Sequence, residues 1–346
     1  MSQTEVEDIL EEAEDMAYGP ARTERCEEAV RIADAANDET LSYDARIALI
    51  ESAVFGGAPQ KAIVAFAWCV AKSDADPERF PERGGWGTDL LWMHKWVAGQ
   101  VHAYPQITRA QVDAALDDME QRYARHGLSL RPLHQLRMHA ALEMDEDVEV
   151  AHEHFRKWQW AKRDSYADCQ ACETHSAVEF YIKRGQHERA FETARPLLEG
   201  RQACAEVPHH TYAMLLISAR ALERVEDLEH LHRVGLPLVR SNPDFLRHLA
   251  LHVDHLVLGE RLTDAAPLVA TMLEWTRNTQ DFDSRMWAYA TGKLFFSKGG
   301  TARLPAHLDA GPDPVAFFDR EAKAIAARFD ERNGNTLIST RLAAHP

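Results

Sequence analysis

The sequence predicts an all-α fold of antiparallel helix pairs stacked into a solenoid. Three observations predict it: apolar residues recur at helical spacing in nearly every long segment, alternating β-branched runs are absent, and one short apolar register returns at near-regular intervals. The composition agrees. The chain has 346 residues, a formal net charge of −16 and 45% hydrophobic residues, enough apolar side chain for a sizeable core. An excess of 55 acidic over 39 basic residues argues against nucleic acid as the main partner, since phosphate binding draws its strength from Lys and Arg. No apolar run approaches the roughly 20 residues of a membrane helix, and the start lacks the basic and apolar stretches of a secretory signal. The expected location is therefore cytoplasmic.

The first element is an acidic helix. Residues 5–15 place seven carboxylates around Val6, Ile9, Leu10 and Ala13, a solvated face over a narrow apolar stripe that suits a capping helix. Ala45, Ile47, Ala48, Leu49, Ile50 and Val54 form a second helical run, and Val112, Ala115, Leu116, Met119 and Tyr123 a later one with Thr108 as its N-cap. Gly127, Gly185, Gly200 and Gly259 fall where helices should stop.

The repeating register is a small or apolar residue three after a turn-proximal one, then another four later. It reads Cys26/Ala29/Ala33, Pro59/Ala62/Phe66, Val112/Ala115/Met119, Val148/Ala151/Phe155, His187/Ala190/Ala194, Val225/Leu228/His232 and Leu262/Ala265/Val269. Successive middle members are separated by 33, 53, 36, 39, 38 and 37 residues. One insertion explains the outlier: residues 73–88, SDADPERFPERGGWGT, carry Pro77, Pro81, Gly84, Gly85 and Gly87, and a loop of this length is commonly functional or mobile. The small middle residue lets the second helix of each pair press closely on its neighbours, and such units stack. Beyond about residue 300, LPAHLDAGPDP interrupts the pattern. Phe317, Ala322, Ile325, Ala326 and Phe329 then form one amphipathic helix ending at Asn333-Gly334-Asn335. The expected organisation is a repeat domain over residues 1–300, about seven helix pairs, and over 301–346 a capping helix with 335–346 as a tail.

Gly185, Ala190 and Ala194, like Glu260, Ala265 and Val269, carry a turn and second-helix signature that resembles tetratricopeptide repeats. The resemblance implies a right-handed superhelix whose concave groove, lined by the first helix of each pair, receives a protein or peptide. The units here are mostly longer than the family's 34 residues, and most lack its large aromatic and closing proline. Projecting the frame puts Glu179, Lys183, Arg220, Arg247 and Asp254 near the groove, a mixture of charges suited to a peptide of matching polarity, with a carboxylate gripped by Arg220 or Arg247. Trp92 and Trp96, one turn apart with Lys95 between, are either core or a partner anchor beside the insertion.

Five cysteines are too few and too uneven for a disulfide framework. Cys26 and Cys69 lie in helix frames and read as core. Cys169 and Cys172 form C-x2-C, Cys204 follows, and His209 lies beyond it. With a turn at Gly185, two antiparallel arms of roughly 20 Å bring Cys204 and His209 back beside the pair. Four such ligands suit a tetrahedral, structural Zn²⁺ site clamping one hairpin. His175 and His210 are rival fourth ligands, Asp168 a further ligand or supporting partner, and buried thiols or a redox pair the competing readings. The strings DCQAC at 168–172, ARPLLEG ending at Gly200, Cys204, Pro208, residues 86–97 and FDERNGN at 329–335 are also similar to an uncharacterised, largely actinobacterial group of tetratricopeptide-like proteins; that resemblance implies no activity.

His248, His252 and His255 share one helix face near Asp254, which permits a metal-dependent enzyme or sensor but also describes a partly exposed face. HEHF at 152–155 is not H-E-x-x-H, and no Walker A, G-x-G-x-x-G or G-x-S-x-G pattern occurs. The leading expectation is an interaction scaffold without catalytic chemistry. The alternatives are the histidine-based metalloprotein and a regulator that binds a small signalling peptide.

Overall fold

A computed structural model describes residues 2–84 and 89–346. Among the described residues the regular structure is helical, seventeen α-helices and two short 3-10 turns, with no strand. No described helix is long and apolar enough to cross a membrane. The chain divides into two compact units, one of residues 1–102, 110–136 and 161–166, the other of residues 103–109, 137–160 and 167–346.

The first unit begins with α1 (Ser2–Glu14), which buries Val6, Ile9, Leu10 and Ala13 and turns its carboxylates outward. Its stripe packs with Ala29 and Ala33 of α2 (Pro20–Ala35) and Leu41 and Ala45 of α3 (Glu39–Phe55). Proline opens α2 and α4 (Pro59–Ala75), where the missing N–H is no loss. Asp38 accepts from the Thr40 and Leu41 amides to start α3, and Asp89 from Trp92 to start α5 (Leu90–Gln100). α6 (Arg109–Arg125) begins directly after Thr108, as expected. Cys26 and Cys69 are buried in this unit.

The insertion is anchored over its described part. Phe80 is buried against Tyr43, whose hydroxyl donates to the Pro81 carbonyl at 3.0 Å. Glu82, only 8% exposed, accepts from Arg122, from Arg125 at 3.1 Å, and lies 2.6 Å from His126 Nε2. Residues 85–88 of the insertion lie outside the described residues.

The second unit takes up the latter part of α7 (Arg131–Met144) and then α8 (Val148–Trp160), whose Phe155 stacks on Phe180 of α9 (Gln170–Lys183) with ring centres 4.0 Å apart. α10 (His187–Leu198), α11 (His209–Ala221), α12 (Val225–Val239), α13 (Leu246–Leu258), α14 (Leu262–Trp275) and α15 (Phe282–Ser297) follow. α9 packs on α10 and α11, α11 on α12 and α13, α13 on α14 and α15; in the first unit α1 meets α2 and α3, and α3 meets α4 and α5. The repeating register explains this alternation. Ala29, Ala62, Ala115, Ala151, Ala190, Leu228 and Ala265 fall on the seven even helices from α2 to α14, and all but the half-buried Ala115 are buried. A close approach needs a small residue. At Gly235 of α12 an added Cβ would come within 2.7 Å of Tyr212 Cβ and 3.1 Å of the His252 ring.

The expected C-terminal helix is α16 (Pro314–Asn333), which packs Phe318, Ala322, Ile325, Ala326 and Phe329 onto α15. Gly334, in the left-handed conformation at φ 71°, stops it. Residues 335–346 are more than the expected tail: Leu337–Ala343 form α17, packed on α16 with Ile338 buried. Asp330 nucleates it by accepting the amides of Ile338 at 2.9 Å and Ser339 at 3.1 Å, a tertiary cap invisible to helical periodicity.

Candidate functional site

The three clustered cysteines meet. α9 and α10 form a hairpin turning at Gly185, and the loop after Leu198 returns to the start of α9. Ala171, Leu197 and Val207 pack together there against Cys172, and Thr174 Oγ1 donates to Gln202 Oε1 at 2.8 Å. Cys204 is held by its amide, which donates to the Val207 carbonyl at 2.8 Å. The sulfurs of Cys169, Cys172 and Cys204 all lie within 4.8 Å of one another; Cys169 and Cys204 are exposed and Cys172 half-buried.

Position makes the three thiols unequal. Cys169 is the N-cap of α9, and its sulfur accepts from the Cys172 amide at 3.4 Å. Burial opposes its ionisation, but hydrogen bonds from the Cys172 amide and thiol and from Cys204 outweigh it and hold the thiol below its ordinary range. Burial and the negative charge of its neighbours push Cys172 up. Three sulfurs at ligand distance are the donor set of a soft or borderline metal ion, which displaces the thiol protons on binding.

His209, the expected fourth ligand, is not in this group. It opens α11 instead of closing the loop, and its ring stacks on Phe245 with centres 5.6 Å apart. The rivals are engaged elsewhere as well: His175 Nδ1 pairs with Thr211 Oγ1 at 2.9 Å, and His210 stacks on His248 with centres 4.3 Å apart. Asp168 does not join the three sulfurs either. Of the expected Cys3His set, the three sulfurs are the members that come together within 4.8 Å.

A second polar concentration lies in the same unit. Lys183 bonds Glu179 at 2.9 Å and also Glu143, which accepts from Arg341 at 2.9 Å. Burial pushes Glu179 up to about 7, with Asp283 adding to the shift, and pushes Lys183 down to about 7, with Arg341 assisting. Arg247 lies over the Trp287 ring at 4.3 Å, its Nη1 buried without a hydrogen-bond partner. Burial lowers its pKa, opposed by Asp283, Asp254, Asp281 and Glu179. Glu179, Lys183 and Arg247 thus lie within electrostatic reach of one another on α9 and α13; Arg220 lies nearer Asp254, whose charge opposes the effect of burial on it. Arg341, Glu143 and Trp287 complete the cluster. The sequence signalled none of them, since each faces it through packing between distant elements.

In the first unit, Trp92 and Trp96 are half-buried. Trp92 lies under the Lys95 ammonium at 3.3 Å and 6.0 Å from the Tyr166 ring, while Trp96 meets Phe55 edge-on at 4.9 Å. Both serve packing here. The three histidines of α13 divide between neighbours: His248 turns to His210, whereas His252 and His255 meet His232 of α12. Among the described residues no histidine joins a group of three ligands at metal-binding distance.

Compared with models of protein families, with curated proteins and with solved structures, the chain matches none.

Proposed function

We propose that the chain is a cytoplasmic helical-repeat scaffold of tetratricopeptide-like design, a right-handed solenoid that receives a peptide or protein in the recess of α9 and α13 and is braced by a zinc ion on Cys169, Cys172 and Cys204. The observation that carries the binding role is Arg247. A guanidinium supported on Trp287 with a buried, unpartnered Nη1 leaves a strong donor unsatisfied, and a ligand carboxylate or carbonyl would relieve that cost. Support for the solenoid comes from the alternating odd and even helix contacts and the small register residues on the even helices.

Zinc suits the three thiols because it takes thiolate ligands at about 2.3 Å and has no redox demand. Bound there, it would tie the N-terminus of α9 to the loop after α10, with water or an outside donor completing its coordination. The regulator reading is the special case in which the ligand is a small signalling peptide. The histidine-based metalloprotein has less support, because the rings of α13 point to different neighbours.

The test is selection from a displayed random peptide library, repeated with Arg247→Glu. Enriched peptides that bind the native chain and lose about tenfold or more in affinity to the variant fit the proposal. Absence of enrichment, or equal binding by the variant, counts against it.

A further inference from the structure

The chain's own C-terminal segment lies against this cluster. From α16, Asn333 Nδ2 donates to the Glu143 carbonyl at 3.1 Å and Asn335 Nδ2 to the Met144 carbonyl at 2.8 Å, which leads the following segment across the end of α7. Arg341 then donates to Glu143 Oε2 at 2.9 Å and to the Leu142 carbonyl at 2.6 Å. Four residues on, His345 Nε2 lies 3.0 Å from Asp254 Oδ2 on α13, its ring 5.7 Å from Trp287, the platform under Arg247.

The manner of holding differs along the segment. Ile338 is buried and belongs to the core, but from Ser339 to Pro346 no residue is buried. Leu342 packs partly buried against the core from within α17, and the rest of that stretch is kept by ionic and hydrogen bonds to Glu143, the Leu142 carbonyl and Asp254. The polar contacts of Arg341 and His345 exchange readily with water or with an equivalent ligand, and one half-buried leucine is the apolar surface exposed when the stretch lifts.

We infer that residues 339–345 are an intramolecular occupant of the recess, and that the partner it receives is a basic peptide segment presenting an arginine to Glu143 and an imidazole or second cation to Asp254. The inference rests on the groove reading above and gives it a ligand chemistry. Charge complementarity favours it: with Arg341 and His345 withdrawn, the four carboxylates Glu143, Glu179, Asp254 and Asp283 outnumber the three cations Lys183, Arg220 and Arg247, in a chain of net charge −16. An occupied recess lowers apparent affinity in proportion to the fraction of molecules in which it is open.

The experiment compares the full-length chain with Arg341→Ala/His345→Ala, which leaves Ile338 in place, and uses a fluorescent synthetic peptide of residues 336–346 as probe. Thermal melting establishes that the variant is folded, and hydrogen exchange follows residues 339–345. The expected result is faster exchange in that segment, about tenfold or tighter binding of the probe by the variant, and loss of binding when the arginine of the probe is replaced by glutamine. Equal binding by both proteins, or unchanged exchange, overturns the intramolecular occupant and leaves the groove reading intact. A folded, open variant that binds no probe overturns the basic-peptide chemistry. If it also fails to bind any library-selected peptide, the groove reading falls with it.

Discussion

His232 Nδ1 lies 3.2 Å from His252 Nδ1, so one ring must donate and the other accept, and the accepting imidazole must be neutral. His252 is fully buried and His232 nearly so. Burial pushes His252 down to about 3, with the nearby His232 and His255 adding to it, and His232 down to about 4, where His255 and Arg261 assist and Glu229 and Asp264 oppose. His255, 3.2 Å from Glu229, is also lowered by burial.

Acid therefore acts through this cluster. An unfolded imidazole titrates near 6.5, so between that pH and about 4 the unfolded chain binds more protons than the folded one, and stability falls as pH decreases. Each such ring contributes a slope of up to about 1.4 kcal/mol per pH unit. Urea unfolding at about pH 7 and about pH 5 should show a clear loss at the lower value. A stability that does not change across this interval would contradict neutral burial.

The thiol trio predicts metal uptake. Chain stripped with chelator should recover one zinc per molecule, and zinc at about 100 times its dissociation constant should raise stability by about 2.7 kcal/mol. Cys169→Ser, Cys172→Ser and Cys204→Ser should each lose the ion, whereas His209→Ala should keep it, since that ring packs on Phe245. Elemental analysis with parallel melting curves decides this; zinc that departs with His209 would restore the four-ligand arrangement.

Arg122 is 4% exposed and bonds Glu82, Asp74 and Asp118, joining the insertion to α4 and α6. Arg122→Ala leaves the buried Glu82 with only Arg125 and His126, and should cost about 3 kcal/mol in chemical denaturation. Arg122→Lys should recover only part of this, because an ammonium cannot reproduce the guanidinium fork. Full stability in the alanine variant would show that the carboxylates rehydrate freely.

Gly235→Val forces new atoms against Tyr212 and His252 where even a Cβ meets them at 2.7 and 3.1 Å. Overpacking of this kind costs about 1–3 kcal/mol, read as a lower denaturation midpoint. A neutral outcome would mean that α11 and α12 separate without penalty.

Much of the fold was legible because helix formation and facial burial are periodic. The register alanines marked the even helices, the carboxylates of residues 5–15 marked an exposed face, and Gly185 with the C-x2-C pair located a hairpin whose ends had to meet. His209 lies outside the sulfur group for a local reason: spacing alone does not say whether a residue closes a loop or opens the next helix, and that choice turns its ring from the sulfurs to Phe245. Trp92 and Trp96 look alike in sequence whether they anchor a partner or pack on Tyr166 and Phe55.

Sequence by itself determined the helical class, the alternation of small residues that permits close packing, and the convergence of three cysteines, because each follows from the geometry of one helix or one hairpin. Only the tertiary structure decided that Asp330 caps α17, that Arg341 and His345 reach Glu143 and Asp254, and that the histidines of α13 part company. Those pairings join residues far apart in the chain, and their partners are chosen by how helices dock, which no local periodicity encodes.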